Sequence, residues 1–291
     1  MIQNNTIKLL FIINPKSGNS KINWTAEIEN YFANSINTIE LYQLTQDCNI
    51  ETIQEKIKSF SPQKVVAVGG DGTVKLVAEC ILNTTIQLGI LPAGSANGLA
   101  KEFDISNIPT EALDVLLKGK TQKIHTVKVN DQLCIHLSDV GLNAYVVKEF
   151  EKQPVRGMWG YMMAALKVLW QNPLMNITMK IDGKITKVKA MMIVIANATK
   201  YGSGAVINPI GSLDDELFEV IVMKKISIQE MFKMVYSHKP YDSTKTEVFQ
   251  TNELFIKSFR RVHFQIDGEY LGKVKEVKAV IMPDCLTMIV P

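Results

Sequence analysis

The stretch Val65-Val-Ala-Val-Gly-Gly-Asp-Gly-Thr-Val74, VVAVGGDGTV, decides the fold class. Four apolar residues end in a glycine-rich turn, and from Thr73 onward the period becomes helical, with Val74, Val77 and Ile81 on one face and Lys75 and Glu79 on another. A buried strand feeding a helix through glycines is half of a βαβ unit, and such a loop is a ready cradle for phosphate, since glycines admit the ligand and the helix start offers free N–H groups. Asp71 stands in the middle of that cradle. A carboxylate there repels bare phosphate, so either the loop binds none or a cation such as Mg²⁺ lies between the two.

Outward from this loop the first half repeats the same alternation. Short apolar runs at Ile7–Ile13, Thr38–Leu44, Lys64–Val68 and Gln87–Leu91 read as strands, and Trp24–Phe32, Ile50–Phe60 and Thr73–Leu82 read as helices between them. Residues 1–124 are therefore expected to form an α/β domain around a mainly parallel sheet. The pattern then changes. Ile124–Val129, Leu133–Leu137, Asn176–Asp182, Lys184–Ala196, Leu217–Met223, Leu254–Ile256, Val262–Asp267 and Val277–Ile281 are extended runs rich in Val, Ile and Thr. They predict an antiparallel β-rich domain over 125–291, with the last few residues free to return to the first domain and a cleft between the two. Helical insertions are expected at Gly157–Trp170 and Ser227–Ser237.

Composition narrows the function classes. The 291 residues, 46% hydrophobic and 21% charged, suffice for two ordinary cores. A net charge of +3 from 32 basic and 29 acidic residues argues against a nucleic-acid partner but does not oppose an anionic membrane surface. Cys48, Cys80, Cys134 and Cys285 lie far apart, which implies neither a disulfide framework nor a zinc site and fits a reducing cytoplasm. The run Leu9–Ile13 is too short for a signal-peptide core, and nothing approaches ~18 consecutive apolar residues, the lower limit for a membrane span.

Four strand ends carry groups suited to phosphate: NPKSGN at Asn14–Asn19, Thr45, GGDGT at Gly69–Thr73 and LPAGSAN at Leu91–Asn97. In an open α/β sheet such loops converge on the carboxyl edge. The spacing of GGDGT matches neither the dinucleotide fingerprint nor the Walker loop. In the second half, QIDGEYL around Asp267 has the form of a hairpin turn, and KIDGKI around Asp182 is its look-alike without the glutamate. The acids of SLDDEL read first as a solvated loop. The segment GMWGYMMAALKVLW, Gly157–Trp170, is apolar almost all round and reads as a buried core helix, with a lipid-binding surface as the alternative.

NPKSG, GGDGT and LPAGSANGLAKEF, in this order, resemble the catalytic domain family of diacylglycerol kinases, sphingosine kinases and bacterial lipid kinases, and the resemblance continues in GLNA (Gly141–Ala144), SLDDELFEV (Ser212–Val220) and DGE (Asp267–Glu269). It implies a Rossmann-like, NAD kinase-like nucleotide domain followed by a β-rich lipid domain. It also implies an ATP- and Mg²⁺-dependent kinase that phosphorylates a lipid hydroxyl, with diacylglycerol ahead of a sphingoid base, at a membrane surface touched peripherally from the cytoplasm. An NAD kinase-like enzyme and a catalytically dead nucleotide or lipid sensor stay open, and so does a homodimer. By the same resemblance the nucleotide and its phosphates are contacted by Asn14, Pro15, Lys16, Ser17, Gly18, Thr45, Gly69, Gly70, Asp71, Gly72, Thr73, Ser95 and Asn97. Asp71 becomes a metal-associated or catalytic carboxylate, and Asp267 or Glu269 the base for the acceptor hydroxyl. A structural divalent cation falls to Asp215 and the carbonyls of Ser212 and Leu217. The chain departs from the family pattern at Lys75 and Leu76, where Asn-Glu is common, and at Ser95 and Gly98, where threonine and aspartate are.

Overall fold

A computed structural model describes residues 6–18, 22–45, 48–153, 157–171, 174–201, 205–206, 208, 211–213, 215–226 and 244–291. Its contacts group into two compact units, Met1–Ile124 with Asp284–Pro291, and His125–Pro283.

The first unit runs β1 (Lys8–Ile13), α1 (Trp24–Phe32), β2 (Thr38–Gln43), α2 (Ile50–Phe60), β3 (Lys64–Gly69), α3 (Asp71–Ile81), β4 (Gln87–Pro92), α4 (Gly98–Glu102) and α5 (Pro109–Lys118). β2, β1, β3 and β4 pair in that order, all parallel, which sends their carboxyl ends to one edge. β3 is buried along its whole length and β1 beyond its first residue, as central strands covered by helices must be. α1 turns Trp24, Ile28 and Phe32 inward at spacings of four, and Phe32 meets Phe11 edge-to-face at 5.8 Å. α2 begins with a reciprocal capping box between Asn49 and Thr52 and ends on Ser61 in the left-handed region. α3 starts two residues earlier than its apolar period suggests, because Gly70 serves as N-cap and Asp71 opens the helix.

The second unit contains β5 (Lys120–Val129, entering from the first unit), β6 (Gln132–Cys134), β7 (Leu137–Gly141), α6 (Leu142–Glu151), α7 (Gly157–Trp170), β8 (Met175–Ile181), β9 (Lys184–Ala190), β10 (Met192–Ala196), β11 (Lys200–Tyr201), β12 (Ala205–Val206), β13 (Phe218–Met223), β14 (Thr246–Thr251), β15 (Glu253–Ile266) and β16 (Glu269–Val290, whose end returns to the first unit). Its main sheet orders β14, β13, β10, β7, β15 and β16 antiparallel, with β8 and β9 added to β15 and with β5 and β6 added to β16. One sheet face buries Val140, Ile193, Ile195, Val220, Val222 and Phe264, among others. Residues of opposite parity, such as Leu137, Val194 and Ile221, pack instead beneath α6 and α7.

The structure redraws several sequence-based boundaries. The run Leu133–Leu137 is two strands, because the amides of Ile135, His136 and Leu137 turn aside to the Asp267 carboxylate. Lys184–Ala196 breaks at Met191, whose N–H donates to the Met223 carbonyl and whose own carbonyl accepts from Leu142, both at 2.9 Å. The two runs at 254–256 and 262–267 fuse into β15, and 277–281 is the middle of a 22-residue β16. α6 is a helix that the sequence pattern did not announce. Ser227–Ser237 lies outside the described residues.

Candidate active site

Glycine at three positions lets three loops touch through their backbones. A Cβ on Gly94 would sit 2.3 Å from the Cα of Gly70, and one on Gly18 would sit 2.4 Å from the carbonyl oxygen of Ala93. Gly18 also has φ +64°, so an L side chain there is strained as well as crowded. Hydrogen bonds finish the seam. Asn14 N donates to Val68 O and Ala93 N to Gly69 O, each at 3.0 Å, and Asn14 Nδ2 reaches Thr73 Oγ1 at 3.1 Å. Asn97 holds Gly94 from both sides, accepting its N–H and donating to its carbonyl, each at 2.9 Å. The NPKSG, GGDGT and PAGSAN loops are thereby one structure at the carboxyl edge of the sheet.

Asp71 has a structural task in that seam. Asn97 is the N-cap residue of α4 but spends its side chain on Gly94, so no capping bond comes from it. Asp71 Oδ1 accepts the Leu99 N–H at 3.2 Å and takes over that role. As the first residue of α3 it also complements that helix's positive end. A carboxylate is thus held among glycines by two helix starts before any ligand arrives.

Beside this seam opens a cavity of about 320 Å³ lined by Asn14, Lys16, Leu44, Thr45, Cys48 and Leu76. The lining offers an amide, an ammonium and a hydroxyl from Asn14, Lys16 and Thr45 together with less polar side chains from Leu44, Cys48 and Leu76, which suits a ligand that carries both charged and uncharged parts. Leu76, where the family often has glutamate, is one of the apolar lining residues. Lys16 and Pro15 are exposed, Ser17 is half-buried and Ser95 is exposed. Asn14 stabilises the first loop itself, its Oδ1 accepting Lys16 N at 3.0 Å and its carbonyl accepting Ser17 N at 3.1 Å.

In the second unit Asp267 and Gly268 form a two-residue hairpin between Ile266 and Glu269, with φ of 50° and 86°. Asp182 and Gly183 form the same turn, with φ of 47° and 78°. What differs is the use of the carboxylate. Asp182 accepts one hydroxyl, from Thr251 at 2.9 Å, whereas Asp267 accepts the backbone amides of Ile135, His136 and Leu137 at 3.1, 2.9 and 3.3 Å. Glu269 is exposed, and among the described residues its carboxylate has no hydrogen-bond partner.

A buried polar chain supports this turn; Gln265, Asn143 and Tyr161 fall within stretches quoted from the sequence, but Asp139, at its centre, was not singled out by sequence reasoning. Gly268 N donates to Gln265 Oε1 at 2.7 Å, Gln265 Nε2 donates to Asp139, Asn143 Nδ2 donates to Asp139, and Tyr161 donates to Asn143 Oδ1. Asp139 is fully buried and also accepts Ala144 N at 2.8 Å. Burial drives its pKa up to about 6 against the pull of those three donors. Burial, followed by the Asp139 charge, also raises the pKa of Tyr161. The available signal was an acid inside the apolar strand LSDVG. Nearby, His263 stacks on Tyr145 with centroids 4.2 Å apart, and desolvation holds its pKa down at about 4.

The SLDDEL loop is partly described. Asp215 Oδ1 accepts the N–H of Leu217 at 3.3 Å, and Ser212 lies three residues before Asp215 in the same loop. Among the described residues no three His, Cys, Asp or Glu side chains are grouped to hold a metal.

The arrangement matches known proteins along nearly its whole length. The family model for the diacylglycerol kinase catalytic domain matches residues 8–129, and that for the YegS C-terminal NAD kinase beta sandwich-like domain matches 138–290. The chain belongs to the diacylglycerol kinase catalytic domain family. With that family comes its reaction class, transfer of a phosphoryl group to a lipid hydroxyl. A diacylglycerol kinase of Staphylococcus aureus is 25% identical over 217 residues, covering 72% of this chain and 69% of that protein. An uncharacterized protein of Synechocystis is 24% identical over 307 residues, covering 96% of this chain and 69% of its own. Among solved structures, a diacylglycerol kinase from Bacillus anthracis superimposes with TM-score 0.77 at 17% identity, covering 99% of this chain and 98% of that one. An NAD kinase from Archaeoglobus fulgidus in complex with ATP gives 0.55 at 12% identity, covering 97% and 93%. This lipid kinase family and the NAD kinase thus share a fold.

Proposed function

We propose that the chain is an ATP- and Mg²⁺-dependent kinase acting from the cytoplasm on a membrane lipid, with diacylglycerol as acceptor. The observation that carries the reading is the three-glycine seam opening on a cavity lined by Asn14, Lys16 and Thr45. The N-terminus of α3, with Lys16 and Asn14, would receive the phosphates, and Leu44, Cys48 and Leu76 would receive the nucleoside. Asp71 would hold a Mg²⁺, an ion commonly bound by only one or two protein carboxylates beside a phosphorylated substrate, so an acidic cluster is unnecessary. Such an ion supplies neutralisation of charge on the transferred group.

The hairpin divides two roles between its acids. Asp267, held by three amides, positions the turn, and Glu269 accepts the proton of the lipid hydroxyl. As that O–H bond breaks, the oxygen forms its bond to the γ-phosphorus, the bond to the bridging oxygen breaks and ADP departs. A carboxylate suffices because a loose transition state demands positioning more than strong proton abstraction.

Labelled ATP and Mg²⁺ offered with diacylglycerol, monoacylglycerol, ceramide, a sphingoid base and NAD test the reading. Labelled phosphatidic acid is expected. Label on a sphingoid base or on NAD would reassign the acceptor, and ATP binding without any turnover would make the chain a sensor.

A further inference from the structure

The surface of α7 does not end in polar residues. Ala164, Ala165 and Val168 point into the core beneath the helix, as a packed face should. The side turned to solvent carries Trp159, Met163, Leu166 and Trp170, exposed by 80%, 59%, 42% and 92%. Spacings of four, three and four keep these residues on one stripe, which runs about 16 Å along the axis at 1.5 Å per residue. The sequence-based expectation of a core helix holds for one face only. No acid lies on α7, and its one charged residue, Lys167, is held with Lys152 around Glu149 at 2.6 and 3.3 Å.

Charge says what covers the stripe. Residues 148–190 hold eight basic side chains against three acidic ones, a net +5 in a chain whose total is +3, so the remaining residues are net −2. Lys180, Lys184, Lys187 and Lys189 of the β8–β9 hairpin are exposed, and among the described residues none pairs with an acid. Trp170 and Met175, where β8 begins, are five residues apart and so at most about 18 Å, and Leu174 between them is 53% exposed. Indole rings settle at the boundary of hydrocarbon and headgroups, and lysines beside them favour anionic lipid. A partner protein would need neither the indole preference nor the one-sided charge.

We propose that α7 is the docking face for an anionic phospholipid bilayer, with the indoles of Trp159 and Trp170 seated in the interface and the β8–β9 lysines over the headgroups. Its purpose rests on the lipid-acceptor reading above, but its measurement does not. The chain has three tryptophans, and Trp24 is buried in the first unit, so a Trp24→Phe protein reports on α7 alone.

Vesicles of phosphatidylglycerol and phosphatidylcholine bearing acyl-chain bromines should quench this emission, and pure phosphatidylcholine should bind about tenfold more weakly. Trp159→Ala with Trp170→Ala should lower sedimentation with anionic vesicles by about tenfold or more, with unchanged circular dichroism because both side chains stand free of the core. Unquenched emission, or unchanged sedimentation of the double variant, overturns the proposal. So does a dimer in sedimentation velocity that the double variant splits, since a second copy would then own the face. The double variant should still phosphorylate a water-soluble short-chain diacylglycerol at the wild-type rate. Intact vesicle binding without phosphorylation of any lipid would retire the acceptor reading and leave the docking face standing.

Discussion

Substituting Gly94 by alanine tests whether the three loops act as one body. The added Cβ would lie 2.3 Å from Gly70 Cα and 2.8 Å from Asn97 Oδ1. Carbon atoms rest about 3.5–4.0 Å apart, so the two loops must separate by more than about 1 Å, and because the obstacle is backbone no rotamer change relieves it. Overpacking of this kind costs about 1–3 kcal/mol. For a protein of this size each kcal/mol lowers Tm by roughly 2–4 °C. Moving the start of α3 by about 1 Å should also slow phosphoryl transfer about 10²-fold. Gly72 supplies the control two residues into the same helix, since a Cβ there meets nothing within 4 Å. Gly72→Ala should melt at the wild-type temperature or above it, because alanine gains about 0.5–1 kcal/mol over glycine inside a helix. Scanning calorimetry of both variants with ATP titrations decides the matter. Equal melting temperatures, or wild-type turnover in Gly94→Ala, would refute the seam. A stable Gly72→Ala that binds ATP poorly would show that this glycine is kept for the ligand.

Asp71→Asn keeps an oxygen for Leu99 N and should preserve the melting temperature while lowering transfer by orders of magnitude; Asp71→Ala should also lose about 1 kcal/mol of α4 capping, and near-normal turnover in Asp71→Asn would confine the residue to that cap. Assayed side by side, Glu269→Gln should depress kcat with little change in ATP affinity, Asp267→Ala should destabilise more than Asp182→Ala because three amides lose their acceptor instead of one hydroxyl, and Asp182→Asn should leave transfer unchanged. Asp139 predicts a pH dependence: its folded pKa of about 6 exceeds the ordinary 3.8, so the folded state binds the extra proton between them and stability falls as pH rises from about 4 to about 6. Denaturant titrations across that range should show the slope in the wild type and lose it in Asp139→Asn, which is less stable throughout for want of an acceptor.

The parallel half of the fold was legible because each buried strand is a short apolar run bracketed by loop residues, a signal that sits within ten residues of itself. What escaped depends on distant partners. Asp71 caps α4 from 28 residues away, and Asp267 splits β6 from β7 from 130. Neither pairing leaves a mark at either end. α6 hid because Tyr145, Val146 and Val147 are residue types that favour strands, although Leu142 and Val146 already held the helical spacing. α7 was legible as a helix, but an apolar circumference does not say which face will find protein and which will not. The cavity residues Asn14, Lys16 and Thr45 were named from motif resemblance, whereas Leu44 and Cys48, which complete its walls, carry no motif.

The strand that completes the first sheet is synthesised long after the others. β16 reaches β4 through Thr287 and Met288, beside Gln87 and Leu88, and Cys285 accepts the amide of Asn83 at 2.8 Å. The ribosome makes about 195 further residues between the end of β4 and that pairing, which at 5–20 residues per second takes roughly 10–40 s. Throughout that interval β4 is an open edge of the sheet that carries the glycine seam, and all of the second unit emerges before it is closed. A nascent chain stalled after Pro283 should therefore engage chaperones through the Gln87–Pro92 edge, and an added peptide of the β16 ending, CLTMIVP, should release it.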